Sequence, residues 1–189
     1  KGKGDLDLLL EIKLINDLKD IKSTPLGINS LLYILEVLNN FTQPSLNSSE
    51  YFKDVNTILE MMNSNLLMIP MFLCLFQLKT LSYFGFEPLI DRCSICSMQL
   101  KENEARIINT DSIIGYICSR HFDNLDKDRL IKDNILKVQK YLLKCDVDNV
   151  LPITNTKSEW FSMLKLHNSW LESILEKKIN SFELILNYE

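Results

Sequence analysis

Four residues of this chain have the types and spacing to hold one metal ion. Cys93-Ser-Ile-Cys96 and Cys118-Ser-Arg-His121 each place two ligands two residues apart, with 21 residues between the pairs. A two-residue gap lets one tight turn aim both side chains at a single ion. Thiolates with an imidazole are donors that tetrahedral Zn²⁺ prefers. Protein side chains fill all four positions, so the Zn²⁺ expected here is structural; a catalytic ion keeps a position open to water.

Other chemistry for the same residues fits less well. A redox Cys-x-x-Cys expects a βαβ context, and none surrounds Cys93 and Cys96. Disulfide frameworks belong to small secreted chains, whereas this one has five cysteines, an odd number, and no secretory signal before them. A zinc deaminase needs His-x-Glu on one helix and Pro-Cys-x-x-Cys on the next. Here Arg92 precedes Cys93, and Phe122-Asp123 follows His121. The other histidine, His167, lies at helical spacing in Leu164-Lys-Leu-His-Asn-Ser-Trp170 and reads as packed or surface-exposed. A zinc-dependent hydrolase or deaminase is therefore left without a general base near the ligands. A zinc-ribbon interaction module of transcription machinery fits the ligand pairs equally well, but not the helices that enclose them.

The elements that must position these ligands follow from patterning. Ala105-Arg-Ile-Ile-Asn109 and Ile113-Ile-Gly-Tyr-Ile117 flank Thr110-Asp-Ser112 and predict a short hairpin closing on the ion, the layout of a zinc ribbon. On either side the pattern is helical. Ser23-Thr-Pro25 starts a helix with an apolar stripe of Leu31, Leu32, Ile34, Leu35 and Leu38, ending near Asn40. A second runs from about Glu50 to Met62 on Phe52, Val55, Leu59 and Met62. A third, from about Leu66 to Phe84, is apolar almost all round, as a central bundle helix is, with Pro70 in its first turn and Gly85 placed to end it.

After His121, Ile131, Ile135, Val138 and Leu142 predict a fourth helix, roughly Asp128 to Cys145. The last helical region, Lys157 to about Asn187, turns Trp160, Met163, Leu164, His167, Leu171, Ile174 and Leu175 inward and breaks near Asn180-Ser181. Trp160, Phe161 and Trp170 could stack bases, but at this spacing they read as core, as do the thiols of Cys74 and Cys145 on apolar helix faces. Residues 5–15 alternate apolar and polar, a strand pattern. The fold class expected is mainly α, a helical bundle over 23–91 and 122–189 with a zinc-ribbon-like module inserted at 92–121, and 1–22 the end of a preceding domain or a linker.

Composition bounds the function. At 189 residues with 46% hydrophobic and 24% charged side chains, and only five glycines and five prolines, the chain is globular and helix-favouring. A net charge of −4 gives no global field for nucleic acid. Charge is unevenly placed, however: residues 23–91 carry two basic and six acidic side chains, and 121–145 carry six basic and four acidic. Lys137, Lys140 and Lys144 share a helix face, and with Arg120 and Arg129 they are the candidate contacts for nucleic acid or an acidic tail, against the plainer reading of a solvated surface. The longest apolar run, Leu66 to Phe76, is eleven residues and contains Pro70, short of the roughly 20 that span a bilayer. No membrane association is expected, and the cytoplasm is the expected compartment.

The segment Phe76-Gln-Leu-Lys-Thr-Leu-Ser-Tyr-Phe-Gly-Phe-Glu-Pro-Leu-Ile-Asp-Arg-Cys-Ser-Ile-Cys96 resembles the signature of the RecO family of bacterial recombination mediators, in which an apolar helix runs through a Gly-aromatic-x-Pro-x-Leu turn into the first Cys-x-x-Cys. Leu8-Leu-Leu-Glu-Ile-Lys-Leu-Ile15 is similar to the last strand region of that family's N-terminal OB domain, Leu31-Leu-Tyr-Ile-Leu-Glu-Val-Leu38 to its next helix, and Lys178-Ile-Asn-Ser-Phe-Glu-Leu184 to its closing stretch. Departures are Ser97 for a glycine after the first pair, Ile114-Gly115 for a Gly-Gly, and His121 for a frequent fourth cysteine. The resemblance covers nearly the whole chain, as the C-terminal helical and zinc part, and implies that most of the OB domain is absent from it. It further implies a non-enzymatic DNA repair factor that anneals single-stranded DNA, engages the acidic C-terminal tail of single-strand DNA-binding protein, and works with RecR to load RecA.

Overall fold

The computed structural model describes residues 11, 14, 16–42, 49–100, 106–110, 113–121, 131 and 133–189. The strand predicted over 5–15 falls outside that set except for Glu11 and Leu14, which lie in no regular element.

A short α1 (Lys19–Lys22) buries Ile21, and the Asn63 side-chain oxygen accepts the Asp20 and Ile21 amides at 3.0 and 3.1 Å. Thr24 then caps α2 (Pro25–Phe41) by accepting the Gly27 amide, with Pro25 at the first position, where a missing N–H costs nothing. The buried face of α2 is not the predicted one. Ser30, Tyr33, Ile34, Val37 and Phe41 point inward, while Leu32 and Leu35 are exposed and Leu31 and Leu38 lie at the margin. Tyr33 wins the inward position because its hydroxyl has partners there: it donates to Asn168 at 3.0 Å and accepts from Gln77 at 2.8 Å.

Helix α3 (Ser49–Ser64) packs on α4 (Ile69–Tyr83), which a 3₁₀ turn at Leu66–Met68 precedes. Met71 to Leu78 are all buried, so α4 has no polar face and occupies the middle of the bundle, against α2, α3, α5 (Asp133–Lys144) and α6 (Lys157–Leu175). That position accounts for its composition: Leu66–Tyr83 is long and apolar enough to cross a membrane, yet 61% of it is buried within the protein. Gly85, at φ +82°, ends the helix in the left-handed conformation expected of it.

Of the predicted fourth helix, the part from Asp133 onward is observed as α5, whose buried Ile135, Val138 and Leu142 match the expected stripe. The Lys79 ammonium donates to the Leu143 and Cys145 carbonyls at 3.0 and 2.6 Å, tying the end of α5 to α4. A capping box of Thr156 and Glu159 opens α6. The chain then breaks at left-handed Glu176 and ends in α7 (Phe182–Leu186), whose entry Glu36 holds by accepting from the Asn180 and Ser181 amides. Trp160, Phe161 and Trp170 are buried, as a core reading requires.

Between α4 and α5 lies a three-stranded sheet of β1 (Leu89–Cys93), β2 (Arg106–Thr110) and β3 (Ile113–Ile117), in the order β1-β3-β2. The predicted hairpin is present as β2 and β3, antiparallel with Ile108 opposite Gly115. Strand β1 was not expected: it pairs parallel with β3 through an irregular register, Leu89 opposite Gly115 and Cys93 opposite Tyr116.

Candidate metal centre

The two ligand pairs meet because β1 delivers Cys93 and β3 delivers Cys118 on adjacent strands. Ser97, at φ +57°, turns the first knuckle back so that its amide donates to the Cys93 carbonyl at 2.9 Å, and the Cys93 amide donates to Met98 at 2.7 Å. A 3₁₀ turn, Ser119–His121, returns the second pair, the His121 amide donating to Cys118 at 3.0 Å. The knuckles are stitched together by Ser94, whose amide and hydroxyl both donate to the Tyr116 carbonyl, at 2.8 and 3.1 Å.

The result is a closed group. The ligand atoms of Cys93, Cys96, Cys118 and His121 all lie within 4.8 Å of one another. Cys96 and Cys118 sulfurs are 3.8 Å apart, and His121 Nδ1 is 3.6 Å from the Cys93 sulfur and 3.3 Å from that of Cys118. Metal–sulfur bonds of ~2.3 Å and metal–nitrogen bonds of ~2.0 Å give a tetrahedron with edges of about 3.8 Å between sulfurs and about 3.5 Å between sulfur and nitrogen. The donor set therefore fits one tetrahedral ion, and its sulfurs stand well beyond the ~2.05 Å of a disulfide. Burial pushes the Cys93 thiol up, but the amides of Cys96, Cys118 and Ile95 together outweigh it and bring the thiol down to about 6, toward the thiolate a metal requires. Cys74 and Cys145 stay apart from the group. Burial raises both thiols, Cys74 well above its usual value.

The candidate basic contacts are placed unevenly. Arg120 is exposed beside the site, its guanidinium 3.4 Å from the Met98 sulfur. Lys137 is exposed on α5. Lys140 and Lys144 reach Asp91 of β1 at 2.6 and 3.3 Å, and these lysines hold the Asp91 carboxyl below its usual range. Two members of the lysine face thus clamp the sheet to the bundle. Arg129 lies outside the described residues.

Three site residues escaped the sequence reading: Asp91, Tyr116 and Gln139. The Tyr116 hydroxyl donates to the Gln139 side-chain oxygen, and the Gln139 amide donates to His167 Nε2 at 2.7 Å, all three being fully buried. Burial holds His167 down to about 3, a neutral ring stacked on Trp170. It is packed, as expected, and remote from the metal ligands in sequence and element.

The family model for the C-terminal part of recombination protein O matches residues 26–183, from the start of α2 through both ligand pairs to α7. The chain belongs to this family. Among curated members, the DNA repair protein RecO of Clostridium perfringens strain SM101 is 23% identical over 160 residues, covering 81% of this chain and 66% of the relative. The strain 13 protein of the same name is equally similar, with 60% of its length covered. The chain thus spans less than two thirds of the length of these RecO relatives.

Proposed function

We propose that the protein is a non-catalytic mediator of DNA repair and homologous recombination whose Cys93, Cys96, Cys118 and His121 bind structural Zn²⁺. The observation that carries this reading is the recombination protein O match, which spans the bundle and encloses the closed ligand group. Bound zinc would neutralise the thiolates and lock two knuckles together. The work then falls to the surfaces around it, and residues 92–121 form an inserted module within a body of 23–91 and 122–189. Four protein ligands leave no position for a substrate or water, and among the described residues no general base adjoins them, which favours a binding protein over a hydrolase.

The partners are single-stranded DNA, a RecR-like protein, and the acidic C-terminal tail of single-strand DNA-binding protein, met in the cytoplasm at the nucleoid, with loading of RecA as the outcome. A groove of about 490 Å³ where α2, α4 and α6 begin supports tail binding: Leu26, Leu66, Pro70, Trp160 and Tyr188 line it, and Lys157 supplies a cation for an acidic, apolar-ended peptide. The deciding experiment is annealing of complementary strands coated with single-strand DNA-binding protein. The natural protein accelerates it, and coats lacking the C-terminal tail abolish the effect. Acceleration that is absent, or indifferent to the tail, sinks the reading.

A further inference from the structure

We infer that the tip of the first knuckle is a docking surface for single-stranded DNA, built from Arg92, Ile95, Met98 and Arg120. This rests on the repair reading for its choice of ligand and goes beyond it in placing contacts on the metal module.

The first knuckle presents apolar surface to solvent. Ile95 and Met98 are 48% and 41% exposed at its tip. Arg92 pairs with Gln99 in a β-bridge at its base, and the Arg120 guanidinium lies against the Met98 sulfur. Two apolar side chains, one guanidinium against them and a second arginine on the strand that leads into the knuckle match the needs of an unpaired nucleotide: a flat base packs on apolar and guanidinium surfaces, and the phosphate takes a forked donor.

Charge points the same way. Among the described residues of the three strands and both knuckles the one carboxylate is Asp91, which Lys140 and Lys144 neutralise. A cleft of about 180 Å³ between β1 and α5 is lined by Arg92, Lys140 and Lys144 and by the carboxylates of Glu87 and Asp91, so cations outnumber carboxylates there on a chain whose net charge is −4. Of the two carboxylates, Asp91 is paired with the lysines and Glu87 accepts from the Ser82 hydroxyl at 2.8 Å. A duplex presents phosphates but conceals its base faces, so the apolar tip favours a single strand over a duplex.

Fluorescence anisotropy of a labelled oligothymidylate with the full 189-residue chain tests this. Arg92→Gln with Arg120→Gln should weaken binding at least ten-fold and lower the salt slope by about 1.4, at about 0.7 per phosphate contact on a single strand. Ile95→Ser with Met98→Ser should weaken it three-fold or more and leave the slope unchanged, while Arg120→Lys, which keeps the charge but loses the fork and the flat face, should hold the salt slope and still lower affinity. Equal melting temperature and metal content in the variants exclude misfolding, and none of the four is a ligand. Variants within two-fold of the parent overturn the surface, as does a parent chain that binds no single strand, prefers duplex or RNA, or loses an acidic peptide and not DNA through these substitutions. Each of those results leaves the annealing assay, and with it the repair reading, standing.

Discussion

The Tyr116 hydroxyl, two residues before a metal ligand, donates to the side chain of Gln139 in the heart of the bundle. This is the one buried polar link from the metal module to α5 among the described residues, and His167 of α6 terminates it. Tyr116→Phe leaves the Gln139 oxygen buried without a donor, which costs roughly 1–3 kcal/mol. For a chain of this size the melting temperature should fall by about 2–4 °C per kcal/mol. Adding Gln139→Leu removes the stranded acceptor, so the double variant should lose less than the sum of the singles. Strict additivity in that cycle would show that the link carries no coupling.

His167 makes stability depend on pH. Its folded value, about 3, lies below the ordinary 6.5, so the unfolded chain binds a proton that the folded chain refuses. Stability is therefore full above the ordinary value and is lost as pH falls from there toward 3. Between about pH 7.5 and pH 5 the loss from this residue is about 2 kcal/mol. Urea midpoints across that range should fall less steeply for His167→Asn than for the parent. Parallel profiles would place the ring's titration elsewhere.

Metal removal should loosen the module first. Stoichiometry of one ion per chain is expected by elemental analysis, with Co²⁺ substitution giving the visible spectrum of a tetrahedral thiolate site. Chelation, or Cys118→Ser, should lower the melting temperature, because among the described residues the knuckles are otherwise joined by little more than the Ser94 hydrogen bonds to Tyr116 and the exposed Arg120–Met98 contact. A chelated protein that melts with the holoprotein would remove the structural role.

Gly115 is the position where a single methyl group should break the sheet. It sits at φ +130°, and a Cβ there would lie 2.8 Å from Ser94 Oγ and 2.9 Å from the Leu89 carbonyl. Those are the atoms that let β1 approach β3. Gly115→Ala should cost more than about 2 kcal/mol through strain at a special backbone position, and should weaken metal retention with it. The readouts are the melting temperature and the metal content.

The ligand group was legible in the sequence because two-residue gaps fix geometry locally within Cys93–Cys96 and Cys118–His121; what brings the two pairs together is the pairing of β1 with β3. The helices were legible by periodicity, down to Pro70 and Gly85. What failed was choice of face and distant pairing. In α2 leucines occur on both sides, so the pattern marks Leu32 and Leu35 as inward along with Ile34; only the partners supplied by Gln77 and Asn168 decide for Tyr33. Strand β1 pairs parallel across the loop that carries the first knuckle, and Leu89–Cys93 bears no local mark of that. The role of Lys140 and Lys144 depended on the same strand, which brings Asp91 to them.

Asp91 offers a test that separates packing from recognition. Its carboxyl is half exposed and held low mainly by the Lys140 hydrogen bond, so what it adds to stability is present above the ordinary carboxylate value and is lost as pH falls through the lowered one. Solvent screening keeps that contribution to about 1 kcal/mol or less. Asp91→Asn should therefore shift the melting temperature only slightly. The same substitution leaves Glu87 as the one carboxylate lining the cleft with Arg92, Lys140 and Lys144, and releases two ammonium groups toward solvent. If that cleft meets phosphates, oligothymidylate affinity should rise several-fold and the salt slope should steepen; unchanged binding would confine both lysines to holding the sheet on α5.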